Sequence, residues 1–452
     1  MTVHLGRGSI VVDGPTERLM NGLRRFRRSG DVGEYEDLFV TSSDGKSIVT
    51  MPGFADRVKR LCEGSEGSVV SDERAPMPVP DFDAATRGVE VIWKDVVVKA
   101  LGARGGIVSI PDMFGTVDMV ASIIRAFPRE SLLERGTPLS FVATNWNASR
   151  LARELRAALP ERDVEALLPT GTESEDVIVV PYSAAIDFQY IYGGLFIGTD
   201  LQEIDFLSVA RKVSALRNAA RWGIWSTSHG GIPEIGLDAE GLFGPVCASA
   251  SYADAVRAGI GVPITVVWVP SPKPAGSLGS APFEILEGIA MTRNDAFARL
   301  VSDIVRHVPN DVGCLVCTER EEFRRRISSF LPGVVEAGLD LSAKRRTEIV
   351  GDIERGTIRK AILSKGAFPS ETDHRVMVLA NCSGKEIPGW SIPWRRAKKR
   401  GEKTYLVDFM HDWDRHNGRP GRLKRNDEIR MRAYGDMGFS QMSVECAEQL
   451  PF

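Results

Sequence analysis

A change of period constrains this chain more than any other feature. From about residue 86, short continuous apolar runs (Gly106-Ile-Val-Ser-Ile, Leu139-Ser-Phe-Val-Ala, Asp176-Val-Ile-Val-Val, Gly194-Leu-Phe-Ile and Trp222-Gly-Ile-Trp) alternate with segments such as 149–159 and 205–220, whose apolar residues recur three and four apart. An uninterrupted apolar run fits a strand buried on both faces, and three-and-four spacing fits a helix with one face turned inward. Strands that alternate with helices build βαβ units, so a parallel sheet covered by helices is expected. A passage rich in glycine and proline, Ser271-Pro-Lys-Pro-Ala-Gly-Ser-Leu-Gly-Ser-Ala-Pro, breaks the pattern. It resumes at about Ile289 with helices at 295–307, 319–330 and 343–355, a strand at Cys314, and apolar runs beginning at Val376 and Tyr405.

The first ~85 residues read differently. Short strand-like pieces (Ser9-Ile-Val-Val-Asp, Leu38-Phe-Val-Thr) sit beside a basic stretch, Leu23-Arg-Arg-Phe-Arg-Arg, that reads as helical, and a helix at 54–62. Ala75-Pro-Met-Pro-Val-Pro-Asp reads as an extended, proline-stiffened connector. At 452 residues the chain exceeds the ~250 to 300 that one core supports. The expected division is a small α+β domain over 1–85, a first α/β domain over 86–275 and a second over 276–452.

Composition excludes several classes. With 43% apolar and 26% charged residues the chain is neither fibrous nor low-complexity. It lacks an apolar run of about 18 and a basic-then-apolar start, so no membrane partner and a cytoplasmic location, the host cytoplasm if phage-encoded, are expected. Six cysteines are thinly spread, and the pair Cys314 and Cys317 lies in the apolar run of a strand, which favours packing over zinc. The six histidines form no metal spacing; His411 with Asp412 and Asp414 reads as a polar loop after a strand. The net charge of -3 supplies no global field for nucleic acid, so contact with it requires local patches.

Segment order then resembles a known family. Lys46-Ser-Ile-Val-Thr-Met-Pro-Gly-Phe-Ala-Asp-Arg-Val, followed by Ser71-Asp-Glu-Arg-Ala-Pro-Met-Pro, looks like the amino-terminal region of superfamily 2 phage recombination and repair helicases of the UvsW type. Leu242-Phe-Gly-Pro-Val and Ser251-Tyr-Ala-Asp-Ala-Val-Arg-Ala-Gly-Ile-Gly-Val-Pro-Ile echo the stretch that leads out of that family's first RecA-like domain. Gly313-Cys-Leu-Val-Cys-Thr-Glu-Arg-Glu-Glu-Phe looks like the motif that opens the second. The resemblance implies two RecA-like parallel-sheet domains in tandem behind the small α+β domain.

It also implies where an ATPase site would stand. Gly106-Ile-Val-Ser-Ile-Pro-Asp-Met-Phe-Gly-Thr-Val matches a strand and loop that the family ends in PTGxGKT, whose glycines close on phosphate, whose lysine meets the outer phosphates and whose hydroxyl holds magnesium. Here Pro111 and Gly115 remain, Met113 replaces a loop glycine, Thr116 the lysine and Val117 the hydroxyl. Leu195-Phe-Ile-Gly-Thr-Asp matches the strand that ends in the acidic pair; Gly198 and Thr199 occupy those places, and Asp200 falls one or two positions late. Arg221-Trp-Gly-Ile-Trp-Ser-Thr resembles the coupling segment RxGLTAT and keeps hydroxyls at Ser226 and Thr227. In the stretch matching QRxGRxxR, Trp394 stands where the finger arginine belongs, with Arg395 and Arg396 after it. Lysine, metal ligands and finger arginine are altered together, which removes most of the charge stabilisation that phosphoryl transfer needs.

The expected function is therefore a catalytically degenerate, helicase-like phage protein with no cofactor, acting as a scaffold on DNA or with protein partners in a phage complex. Between Gly389 and Arg432, 13 Lys/Arg stand against 6 Asp/Glu with aromatics interleaved, and Arg395, Arg396, Lys398, Lys399, Arg400 and Lys403 are the candidate DNA contacts. The rivals are a working ATP-dependent helicase or translocase, which would use ATP and Mg, and a purely structural protein such as a virion component.

Overall fold

The computed structural model describes all residues except 7–8, 30–31, 64–67, 73–78, 104, 112–114, 128–139, 145–147, 167–175, 183–193, 202–219, 228–235, 276–282, 365–366, 368–372, 381–400 and 417–418. The chain divides into two compact units, one holding Met1–Thr227 with Ile232–Ala250, the other Ser228–Gly231 with Ser251–Phe452.

The first unit opens with a five-stranded mixed sheet of β1 (Thr2–Leu5), β2 (Ile10–Asp13), β5 (Phe39–Thr41), β6 (Ser47–Thr50) and β7 (Val69–Asp72), in the order β5-β6-β2-β1-β7. Alternation sets its core: Val3, Leu5, Ile10, Val12 and Ile48 face inward onto helices α1 (Glu17–Gly22) and α2 (Ala55–Cys62). The basic stretch expected to be helical is instead a strand, β3 (Arg24–Ser29), paired antiparallel with β4 (Val32–Asp37). The register places Arg24 opposite Asp37, and the Arg24 guanidinium donates to that carboxylate at 2.7 Å, a cross-strand pair that favours the ladder.

A seven-stranded sheet follows, in the order β10-β11-β9-β12-β13-β8-β14: β8 (Gly105–Pro111), β9 (Ser140–Thr144), β10 (Val164–Ala166), β11 (Val177–Pro181), β12 (Leu195–Gly198), β13 (Ala220–Thr227) and β14 (Val246–Ser249). Every pairing is parallel. Its helices include α3 (Val91–Gly102), α4 (Thr116–Arg125), α5 (Ala148–Ala158) and α6 (Leu237–Phe243). The small sheet does not stand apart from it: Arg57 on α2 pairs with Glu240 on α6, and both belong to one compact unit.

The second unit repeats the architecture in the order β17-β18-β16-β19-β20-β15-β23, again all parallel: β15 (Ile264–Pro270), β16 (Cys314–Thr318), β17 (Val335–Ala337), β18 (Lys360–Ser364), β19 (Val376–Leu379), β20 (Thr404–Met410) and β23 (Ser440–Ser443). A two-stranded ribbon joins β21 (Arg415–His416) to β22 (Arg419–Pro420). Helices α7 (Asp295–His307), α8 (Glu321–Phe330), α9 (Ala343–Glu354) and α10 (Arg422–Asp436) accompany the sheet. Two parallel sheets in tandem behind a small α+β element are the expected α/β, RecA-like fold. β15, which precedes the glycine- and proline-rich passage in sequence, pairs with β20 and β23.

Candidate functional site

In a parallel α/β sheet, ligands gather beyond the carboxyl ends of the strands, where the strand order reverses. In the first sheet that edge collects the residues singled out above. Pro111 closes β8; Gly115, in the left-handed conformation at φ 84, precedes the first turn of α4, which holds Thr116 and Val117. Met113 lies outside the described residues. Ser226 and Thr227 end β13 beside Ile110 and Pro111, so the coupling segment and the loop strand are neighbours in register. The side chains of Ser226 and Thr227 fall outside the described residues.

The loop and turn around this edge carry the wrong charge for a phosphate. From Pro111 to Asp118 the sequence has no Lys or Arg and two carboxylates, Asp112 and Asp118. Asp118 lies in the first turn of α4, where an acid complements the helix dipole that would otherwise draw an anion. The buried Trp93 of α3 approaches the same corner, its ring about 3.7 Å from where a side chain on Gly115 would begin.

Asp200 follows β12, which has already ended at Gly198, so strand alternation no longer fixes its direction. It adopts φ 56, a left-handed conformation that a short polar side chain tolerates by bonding locally. The hydroxyls of Thr144 and Thr199 donate to its Oδ2 at 2.7 and 2.9 Å, and the residue is 1% exposed. Nearby, the Tyr182 hydroxyl donates to the Thr199 carbonyl at 2.9 Å. Burial, with the Asp200 charge adding to it, pushes that phenol well above its ordinary range.

Gly198, aligned with the first acid of the family pair, has no room for a side chain. A Cβ there would lie 2.5 Å from both Phe243 Cζ and Tyr182 Oη. Phe243 stacks on Phe196 with centroids 5.7 Å apart, so the ring is fixed by the core behind it. The sequence reading missed Thr144, Tyr182 and Phe243; nothing in local spacing joins them, because they arrive from three separate βα units.

In the second sheet, polar groups at the end of β20 are paired with one another. Arg430 of α10 donates to Asp408 at 2.9 and 3.1 Å and to Asp427 at 3.2 Å, and the Tyr434 hydroxyl reaches Asp408 at 2.9 Å. His411 places Nδ1 2.9 Å from Asp427 and donates its backbone N–H to the same carboxylate at 2.6 Å. Asp414 instead caps α10, accepting from the Leu423 and Lys424 N–H groups, and Asp412 accepts from Lys424 Nζ at 2.6 Å. His411, Asp412 and Asp414 thus do not converge on one point: His411 turns to Asp427, Asp412 to the Lys424 ammonium and Asp414 to backbone N–H groups. Cys314 and Cys317 are buried on β16 and form no disulfide, and burial pushes the Cys314 thiol up to about 12.

Of the candidate DNA contacts, Lys403 is described and exposed, just ahead of β20. Arg395, Arg396, Lys398, Lys399, Arg400 and the neighbouring Trp394 lie outside the described residues. Among the described helices none is long and apolar enough to cross a membrane.

No protein-family model and no curated protein matches the chain. Solved structures do match in fold. A fragment of a putative HsdR subunit of a type I restriction enzyme from Vibrio vulnificus is 13% identical with a TM-score of 0.56, the match covering 94% of this chain and 80% of that one. The DUF1998 helicase MrfA, solved bound to DNA, is 10% identical with a TM-score of 0.52, covering 82% of this chain and 52% of the longer protein. T4 UvsW is matched over 98% of this chain and 99% of that one at 14% identity, with a TM-score of 0.43, too low to single out that type. These likenesses are of fold alone, two parallel α/β sheets in tandem.

Proposed function

We propose that this chain is a phage-encoded, helicase-fold protein that has lost ATP turnover and serves as a DNA-binding or assembly scaffold in DNA metabolism. The observation that carries the reading is the filled space at Gly198. A carboxylate for magnesium cannot be placed there while Phe243 and Tyr182 stand 2.5 Å from the first atom it would need. Asp200, the nearest acid, is 1% exposed and accepts from two threonine hydroxyls. The loop side supports the same reading, since Thr116 and Val117 offer neither cation nor metal-holding hydroxyl at the family positions and Asp112 and Asp118 repel phosphate. Partners follow from charge: a chain of net charge -3 concentrates cations between residues 389 and 432, which suits a polyanion held by a local patch.

The test is phosphate release from ATP and magnesium with and without DNA. The reading expects none above background under either condition, together with salt-sensitive retention of the protein on DNA. DNA-stimulated hydrolysis that vanishes in Asp200→Ala would establish the working-helicase rival instead. Retention on DNA that is absent at every salt concentration would favour a purely structural protein.

A further inference from the structure

The five-stranded sheet of the first unit ends on one side at β5, which pairs with β6 alone among the described strands. The register shows which backbone groups that edge offers. Ser42 donates its N–H to the Ser47 carbonyl at 2.9 Å, so 42 and 47 form a hydrogen-bonded pair of the antiparallel ladder. Bonded and non-bonded pairs alternate, so Val40 bonds to Val49 and the N–H and C=O of Thr41 point away from β6. Phe39 and Thr41 lie on the core side of the strand, while Val40, on the outer face, is 72% exposed. No charged residue or proline blunts this edge.

Beside Thr41 lies a cavity of about 600 Å³. Its lining is apolar at Pro15, Met20 and Ile48 and charged at Asp13, Asp44 and Lys46. Neutral donors orient both carboxylates. The Ser47 hydroxyl donates to Asp13 at 2.7 Å, and the Ser42 hydroxyl and the Lys46 N–H donate to Asp44 at 2.7 and 3.1 Å. Asp13 also stands 3.5 Å from the part-exposed His4 imidazole. The bonds to Asp44, that from Ser42 foremost, hold its carboxyl below the ordinary range and keep it ionised at neutral pH. Two carboxylates against one ammonium leave the lining negative by one charge.

A peptide strand added to β5 alternates its side chains across the sheet. A side chain on the side of Thr41 enters the cavity, and its neighbours fall beside Val40. An aliphatic stem that ends in a cation suits the first position, because the stem lies along Met20 and Ile48 while the head meets Asp13 and Asp44. Apolar side chains suit the second, where Val40 stands opposite Val49.

We propose that β5 is a docking edge for an extended segment of a protein partner in which a lysine or arginine alternates with apolar residues, its backbone bonding to Thr41 and its basic side chain filling the cavity. The site is independent of whether nucleic acid binds the chain.

The experiment measures fluorescence anisotropy of labelled, end-capped heptapeptides in which valine and serine alternate around a central lysine, arginine, glutamine or glutamate, titrated with the full chain. The lysine and arginine peptides should bind at least ~10-fold tighter than the other two. Asp13→Asn/Asp44→Asn should erase that preference, whereas Lys46→Ala, which removes a like charge, should strengthen binding of the lysine peptide roughly 3-fold. Thr41→Pro removes the outward N–H without breaking the ladder to β6 and should weaken both basic peptides about 10-fold at an unchanged melting temperature. If that variant melts early, the two charge variants decide. Equal affinity for all four peptides, or no saturable binding of any at millimolar concentration, overturns the docking edge. Dimerisation of the chain that the basic peptides fail to displace, and that Thr41→Pro abolishes, also overturns it and assigns β5 to a second copy.

Discussion

The first sheet ends with Asp200 among threonine hydroxyls and aromatic rings, whereas the second ends with Asp408 and Asp427 set against a fully buried arginine. The strand layouts correspond, both seven-stranded and parallel, so the contrast comes from side chains alone. In the first sheet one carboxylate accepts from two threonine hydroxyls and the space at the neighbouring Gly198 is packed shut. In the second, buried carboxylates are set against a buried guanidinium. A shared topology therefore fixes where a ligand could sit but not whether the position remains open.

The contrast can be tested by variants, the largest effect first. Asp408→Ala leaves the Arg430 guanidinium buried beside one remaining carboxylate, and loss of one partner of a buried pair costs about 3 to 5 kcal/mol. Urea unfolding should show that loss, and a change under about 1 kcal/mol would mean the network is not the anchor of α10. Gly198→Ala forces a methyl against Phe243 and Tyr182 and should cost about 1 to 3 kcal/mol with no gain of ATPase; a neutral outcome in the same assay would show the space to be open.

Alkaline pH should weaken both units. Cys314 in the second unit has a folded pKa near 12 against an ordinary value of 9.0, so the unfolded thiol ionises first. Its contribution is complete below about pH 9 and is lost as pH rises toward 12, at up to about 1.4 kcal/mol per pH unit. Cys314→Ala should flatten that decline, and an unchanged profile would exclude the thiol as its source. In the first unit, Tyr182 acts in the same direction above about pH 10. The smallest effect is expected for Asp200→Asn, which keeps an acceptor and tolerates the left-handed backbone: about 1 kcal/mol in thermal unfolding. A loss several times larger would mean that the charge itself holds the site together.

Much of the fold was legible because apolar periodicity is local. The helix expected at 295–307 spans Asp295–His307, and the strands at Gly106, Cys314 and Val376 lie where their apolar runs placed them. The basic stretch at Arg24 was misread since its strand character depends on pairing with Val32–Asp37, outside any helical window. The candidate site was legible only as substitutions at motif positions. What replaced the missing groups was not, because Phe243, Tyr182 and Thr144 converge on Gly198 and Asp200 from different strands and helices. Likewise, the partnership of His411 with Asp427 spans 16 residues and depends on α10 folding back over β20.

The most direct measurement is equilibrium binding of labelled ATP with magnesium to the full chain. The filled space at Gly198 and the cation-free loop predict no saturable binding even at millimolar nucleotide. Stoichiometric, magnesium-dependent binding that Asp200→Ala abolishes would contradict that prediction.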